Sequence, residues 1–180
     1  MKSIYIYDKI LKKEGRFMLK IEYKEITYTN EKKRIDEHNS AYELLNKMLF
    51  ECFGIKEPTI KKTDKGKPYI EDTDVHFSIS HTDGFVCCAV SDSPVGIDCE
   101  KITAKYDSKA ENFANRYFVE NEINLLKSED FSRKCFYKIW TGKEAIYKMA
   151  NGDIPITKID VTKHTLQYVF EKDYIICVKN

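Results

Sequence analysis

The spacing of apolar and polar positions changes several times along this chain, and each change marks an element. "SIYIYDKIL", residues 3–11, reads as a short strand, and "FMLKIEYKEITYT", residues 17–29, as a second extended segment in which helix and strand signals compete. After Thr29 and Asn30, which can cap a helix, a charged run leads to Ala41, Leu44, Leu45, Met48, Leu49 and Cys52. That i, i+3, i+4, i+7 spacing predicts a helix with one apolar face, and Gly54 ends it. "KKTDKGKPY" is a polar loop punctuated by Gly66 and Pro68 on either side of Lys67. In "VHFSIS", Val75, Phe77 and Ile79 alternate with His76, Ser78 and Ser80, the period of a half-buried strand. After an Asp-Gly turn, "FVCCAV" is a continuous apolar run that suits a strand covered on both faces. A turn at "SDSP" leads into "VGIDCE", where Val95, Ile97 and Cys99 point one way and Gly96, Asp98 and Glu100 the other. Two helical stretches follow: "DSKAENFANRYFVENEINLLK", broken near Val119, and "FSRKCFYKIWTGKEAIYKMA", closed by Asn151-Gly152. "ITKIDVT", "TLQYVF" and "DYIICVK" then predict three strands, and the mixed order of elements indicates an α+β fold.

Composition narrows the class. A chain of 180 residues with 42% apolar content can bury one sizeable core or two small subdomains packed together. Lysine plus arginine (30) nearly balances aspartate plus glutamate (29), so no whole-molecule field favours nucleic acid or an anionic membrane, and a charged partner must meet a local patch. The cysteines at 52, 87, 88, 99, 135 and 177 form no C-x-x-C unit of a zinc, redox or haem site. No basic-then-apolar leader opens the sequence and no apolar run approaches a membrane span, so a reducing cytoplasm is the expected home.

Chemistry concentrates at "PVGIDCE", residues 94–100. Asp98 and Glu100 emerge from one strand face about 7 Å apart at the backbone. Alone, such a pair is ordinary on a solvated surface, but Mg²⁺ prefers hard oxygen ligands and retains waters, so two carboxylates one strand period apart can hold one ion beside a phosphate. Glu144 in "WTGKEAIYK" is the candidate third carboxylate, because Trp140, Glu144 and Lys148 share one helical stripe. The bland account of Glu144 and Lys148 is an i, i+4 surface ion pair.

Taken together, "GKP", "FSISHTDG", "VGIDCE" and "WTGKEAIYK" resemble the 4′-phosphopantetheinyl transferases, specifically the type that activates peptide synthetases. In that family a V/I-G-I/V-D segment precedes a W/F-S/T-x-K-E-A/S-x-x-K segment by some forty residues, and here positions 99 to 139 separate Asp98 from Trp140. "ANRYFVENE" is similar to the family's A-x-R-F-F-x-x-x-E helix. The matches run from Gly66 to about Met149.

The resemblance implies an α+β pseudo-twofold pair of similar subdomains with the active site in the cleft between them. The chain is then a single domain, 1–180, with halves of about 1–80 and 81–180, a boundary near residues 74 to 90, and a monomeric state. It implies transfer of the phosphopantetheine arm of coenzyme A to a serine of an apo acyl or peptidyl carrier protein, releasing adenosine 3′,5′-bisphosphate, in fatty-acid, polyketide or nonribosomal peptide synthesis. It casts Asp98, Glu100 and Glu144 as Mg²⁺ ligands, Glu144 also as a base for the serine hydroxyl, and Lys148 as a phosphate contact. Ser80 and His81 would hold phosphates, and Lys67 with Pro68 the nucleotide end of coenzyme A. Lys143 points to another helical face, for structure or for the pyrophosphate. The family usually carries Asp-x-x-Arg at the start of its first long helix, with basic residues just before it that grip the 3′-phosphate. This chain has "DEHNSAYELL" there, with Lys32, Lys33 and Arg34 ahead of it. The rival readings are a non-catalytic coenzyme A or carrier-binding module of the same architecture, and a Mg²⁺-dependent phosphodiesterase, which would usually show more His/Asp ligands than a chain with four histidines supplies.

Overall fold

The computed structural model describes residues 18–29 and 32–180, so the strand expected at 3–11 and the capping position at Asn30 lie outside the described residues. One arrangement occurs twice along the chain: a strand, a long helix, then an antiparallel hairpin whose second strand inserts beside the first. The first copy comprises β1 (Leu19–Glu25), α1 (Lys33–Phe53), β4 (His76–Thr82) and β5 (Phe85–Ser91), in sheet order β1-β5-β4. A small hairpin of β2 (Ile60–Lys62) and β3 (Pro68–Ile70) interrupts it. The second copy comprises β6 (Gly96–Lys101), α4 (Arg133–Met149), β7 (Gln167–Glu171) and β8 (Tyr174–Lys179), in order β6-β8-β7. Between β6 and α4 lie α2 (Ala110–Tyr117) and α3 (Glu120–Ser128). This is the expected α+β pair. The chain passes from one sheet to the other at 92–95, later than the boundary placed near residues 74 to 90, because β4 and β5 form a hairpin that stays within the first sheet.

The two sheets lie back to back, and strand alternation sorts their side chains into layers. Ile21, Tyr23, Phe85, Cys87 and Ala89 meet Val95, Ile97, Cys99, Ile176 and Val178 between the sheets. The opposite face of β5, Val86, Cys88 and Val90, packs on Ala41, Leu45, Met48 and Leu49 of α1, so its continuous apolar run is covered on both faces as expected. The third cluster joins Ala114, Leu126, Phe136, Ile139 and Ile146 of the later helices, and Phe118 between α2 and α3, to Ile175.

Two buried charges explain the ambiguous pattern of β1. Its alternate face carries Lys20 and Glu22 toward α1, where Lys20 pairs with Glu51 at 2.7 Å and Glu22 with Lys47 at 2.9 Å. Burial favours neutral forms at both positions, yet the opposite charges win: Lys20 titrates above its ordinary range and Glu22 below.

Two expectations need correcting. Thr29 does not cap α1; its backbone N–H and hydroxyl both donate to Asp36, while Lys32 occupies the cap position without a side-chain bond. "ITKIDVT" is not a strand but two 3-10 turns, Ile156–Lys158 and Val161–Lys163. Buried Ile159 and Val161 mimic strand alternation, but side chains take the backbone groups a ladder would need. Glu122 accepts the Val161 N–H, Asp160 accepts that of Thr162, and Lys143 donates to the Ile159 carbonyl.

Lys143 is accordingly structural. It is fully buried and paired at 2.7 Å with Glu122, itself fully buried and also accepting the Val119 N–H at the start of α3. Burial outweighs the attraction of Glu122 and lowers the lysine's pKa. Lys143→Met should destabilise the protein by about 3 kcal/mol, since the carboxylate is left buried without its cation. Urea unfolding measures this, and a smaller loss when Glu122→Gln is added would identify the unpaired charge as the cause.

Candidate active site at the seam between the halves

Gly96 sets the geometry. A Cβ there would sit 1.9 Å from the Ala145 carbonyl oxygen and 2.6 Å from the Met149 nitrogen, so α4 lies directly on the start of β6. This close approach brings the stripe of Trp140, Glu144 and Lys148 over the strand face that carries Asp98 and Glu100. From the other half, β4 turns Phe77 and Ile79 toward α1 and Ser78 and Ser80 toward β6; the Ser78 hydroxyl accepts the Ile97 N–H at 3.1 Å.

At the centre, Lys148 Nζ donates to Asp98 Oδ1 at 2.7 Å and to Ser80 Oγ at 2.9 Å, and Ser80 Oγ donates to the same Asp98 oxygen at 2.8 Å. The other oxygen, Asp98 Oδ2, is buried with no hydrogen-bond partner. Trp140 Nε1 donates to Glu100 Oε1 at 3.2 Å, and its ring is held edge-on by Phe113 at 4.9 Å. Burial, then the charge of Asp98, push Glu100 up to about 7; Trp140 and Lys105 pull against them, and Glu144 adds to them. Glu144 is raised for the same two reasons, with Lys148 opposing. Burial alone would lower Lys148, but Asp98 reverses the direction and keeps the ammonium charged.

The three carboxylates thus share one electrostatic field. Among the described residues, however, no group of three or more His, Cys, Asp or Glu side chains is arranged to hold a metal ion, and Asp98 Oδ1 is taken by Lys148 and Ser80. The donor chemistry still suits a hard cation. An orphaned buried carboxylate oxygen and two carboxyls made reluctant to ionise by burial and then by the charge of Asp98 are all relieved by a divalent ion.

Beside this cluster, a cavity of about 240 Å³ opens between the β2–β3 turn and the end of α4. Lys67, Pro68 and Lys148 line it, so the structure gathers these three expected site residues around one space. Lys67 is partly desolvated, which lowers its pKa, and among the described residues its ammonium reaches only the Met149 carbonyl, at 3.4 Å. His81 is placed elsewhere. One step beyond Ser80 on β4, it faces α1 and meets Glu37 at 3.2 Å through Nδ1.

Sequence reasoning gave Glu122 no role, although it is the closing glutamate of the "ANRYFVENE" match. Its burial beside Lys143 is a tertiary fact that no local period carries.

Similarity to known proteins points the same way. Residues 94–172 match the family model described as the 4′-phosphopantetheinyl transferase superfamily. A 4′-phosphopantetheinyl transferase of Aneurinibacillus migulanus, gsp, is 37% identical over 135 residues, covering 72% of this chain and 55% of the relative. Sfp of Bacillus subtilis (strain 168) is 35% identical over 104 residues, 55% of this chain and 45% of the relative. HetI of Nostoc is 32% identical over 119 residues, 61% and 49% respectively. The chain spans about half the length of these curated relatives. The segment that builds β6, α4 and their carboxylates therefore belongs to the 4′-phosphopantetheinyl transferase superfamily, as its motifs suggest. No helix among the described residues is long and apolar enough to cross a membrane.

Proposed function

We propose that this chain transfers the 4′-phosphopantetheine arm of coenzyme A to a serine hydroxyl of an apo carrier protein, releasing adenosine 3′,5′-bisphosphate, as a Mg²⁺-dependent cytoplasmic monomer. The observation that carries this reading is the meeting of Asp98 and Glu100 with Glu144 and Lys148 beside a lysine-lined cavity.

In the reaction, the serine oxygen bonds to the phosphorus bearing the pantetheine arm, and that phosphorus releases the bridging oxygen to the nucleotide. Asp98, Glu100 and Glu144 would hold Mg²⁺, which neutralises charge on the phosphates when bound. Burial and the charge of Asp98 make Glu144 more basic than an exposed glutamate, suited to taking the serine proton. Lys148, kept charged by Asp98, stabilises the negative charge that grows on the departing phosphate. Lys67 and Pro68 line the space for the nucleotide end of coenzyme A. Ser80 holds Asp98 and Lys148 in register from the other half, and His81 stands at the outer margin of the same strand.

Intact-mass spectrometry of apo carrier proteins incubated with this protein, coenzyme A and Mg²⁺ tests the reading. The expected result is a gain of one phosphopantetheine arm, abolished by EDTA and by replacing the carrier serine. Free phosphopantetheine instead would establish hydrolysis, and coenzyme A binding without either product would establish a binding module.

A further inference from the structure

The β2–β3 turn belongs to the first half, whereas the helix end it touches belongs to the second, and the contact is made by a short relay. The Thr63 hydroxyl donates to Asn151 Oδ1 at 3.0 Å and accepts the Lys67 N–H at 3.1 Å. The Thr63 N–H donates to the Lys67 carbonyl at 2.9 Å, and the Gly66 N–H to the Thr63 carbonyl at 2.8 Å, so Thr63 organises the whole turn. On the far side, Asn151 lies just past the end of α4 in a left-handed conformation, φ 53°. The next residue, Gly152, donates its N–H to the Tyr147 carbonyl at 3.0 Å. Lys65 adds an ion pair to Asp153.

This tie lies along the rim of the cavity that Lys65, Lys67, Lys148, Asn151 and Gly152 line. Around that space stand three ammonium groups. Lys65 is paired with Asp153 and Lys148 with Asp98, leaving Lys67 as the cation whose charge no carboxylate among the described residues answers. A cation on a turn has value for binding only if the turn is fixed, because an ammonium that wanders must be ordered when the anion arrives. The Thr63 hydroxyl bonds at once to the opposite half and to the Lys67 backbone, which neither the Lys65–Asp153 pair nor the Lys67 ammonium does.

We propose that Thr63 and Asn151 are positioning residues: their bond across the two halves fixes the turn that presents Lys67 and thereby sets affinity for the anionic co-substrate. The inference rests on coenzyme A being that co-substrate. The relay acts on binding rather than on the chemical step, since neither residue contacts Asp98, Glu100 or Glu144.

Four variants test it. Thr63→Val removes the hydroxyl at nearly constant shape, Thr63→Ser retains it, and Asn151→Gly removes the acceptor while accepting the left-handed backbone. Lys67→Ala removes the group being positioned. Calorimetry with coenzyme A, and KM and kcat with an apo carrier, are the readouts. Thr63→Val and Asn151→Gly should each weaken coenzyme A binding and raise its KM by about tenfold, the equivalent of one lost hydrogen bond at a preorganised site, with kcat nearly unchanged. Thr63→Ser should restore most of the affinity. In a Lys67→Ala background, Thr63→Val should add no further loss, because the positioned group is gone.

Wild-type affinity in Thr63→Val, or an undiminished effect of that substitution in the Lys67→Ala background, overturns the positioning role while leaving the transferase reading intact. Failure of the wild-type protein to bind coenzyme A overturns both. A lowered melting temperature with KM unchanged assigns the relay to stability alone and likewise overturns the proposal.

Discussion

Glu100→Gln stabilises the ligand-free protein above neutral pH and suppresses transfer. The sign follows from the direction of its shift. Burial and the neighbouring Asp98 carry Glu100 from an ordinary 4.5 up to about 7, so the folded protein holds this proton more tightly than the unfolded chain does. Between those values stability falls as pH rises, and above about 7 the full penalty, of the order of 3 kcal/mol as an upper figure, is present. Glutamine keeps an oxygen for the Trp140 indole but carries no charge. The variant should therefore melt a few degrees higher at pH 8, with a flatter dependence of melting temperature on pH between 5 and 7.5. The same substitution removes a proposed cation ligand, and transfer should drop on the order of 100-fold or more. Thermal melts across pH, beside carrier mass analysis, read both effects. A variant that melts lower than the parent at pH 8 would show that Glu100 is not held there against its charge.

Gly96→Ala should be more damaging than any other single methyl added to the described glycines. The new carbon would lie 1.9 Å from the Ala145 carbonyl oxygen and 2.6 Å from the Met149 nitrogen, both of them backbone atoms that no rotamer change can move. Relief requires α4 to withdraw from β6, which opens the contact between strand and helix and carries Glu144 and Lys148 away from Asp98. A loss of about 3 kcal/mol or more is expected, at the upper end of overpacking costs. Gly54→Ala provides the comparison, because its methyl meets nothing within 4 Å and only the left-handed φ of 69° resists it. That change should cost about 1 kcal/mol. Urea midpoints of the two variants separate the explanations: similar midpoints would mean that the approach of α4 to β6 is softer than the geometry requires.

Much of this was legible in the sequence because the relevant signals are local. The alternation in "VGIDCE" put Asp98 and Glu100 on the face away from Ile97 and Cys99, and the helical stripe of Trp140, Glu144 and Lys148 followed from spacing alone. Gly54 ended α1 as its chemistry requires. What was missed depends on partners distant in the chain. "ITKIDVT" alternates like a strand, but Glu122 and Lys143, from two helices, claim the backbone groups a ladder would use. The boundary between halves was placed too early because a hairpin carries no mark of which sheet will receive it. For Lys148, expected to lie against a phosphate, spacing gave no sign of the partners Asp98 and Ser80 that the fold brings to it. Thr63 attracts no notice in sequence and Asn151 only as part of a helix stop, since a threonine in a turn and an asparagine after a helix are each ordinary.

The duplicated arrangement of strand, helix and hairpin also bears on how such a chain can change over generations. Ser80 and the β2–β3 turn come from one copy, and Asp98, Glu144, Lys148 and Asn151 from the other, so neither copy is a smaller version of the whole. A crossover that replaced one copy with that of a distant relative would inherit intact sheets and an intact core on its own side. It would keep the pairing of Ser80 with Asp98 and of Thr63 with Asn151 only where the incoming copy supplied the matching residue. The 92–95 linker is the simplest place to cut the chain in two, and the matching of residues across the seam makes that cut selective, productive only between halves that have drifted together.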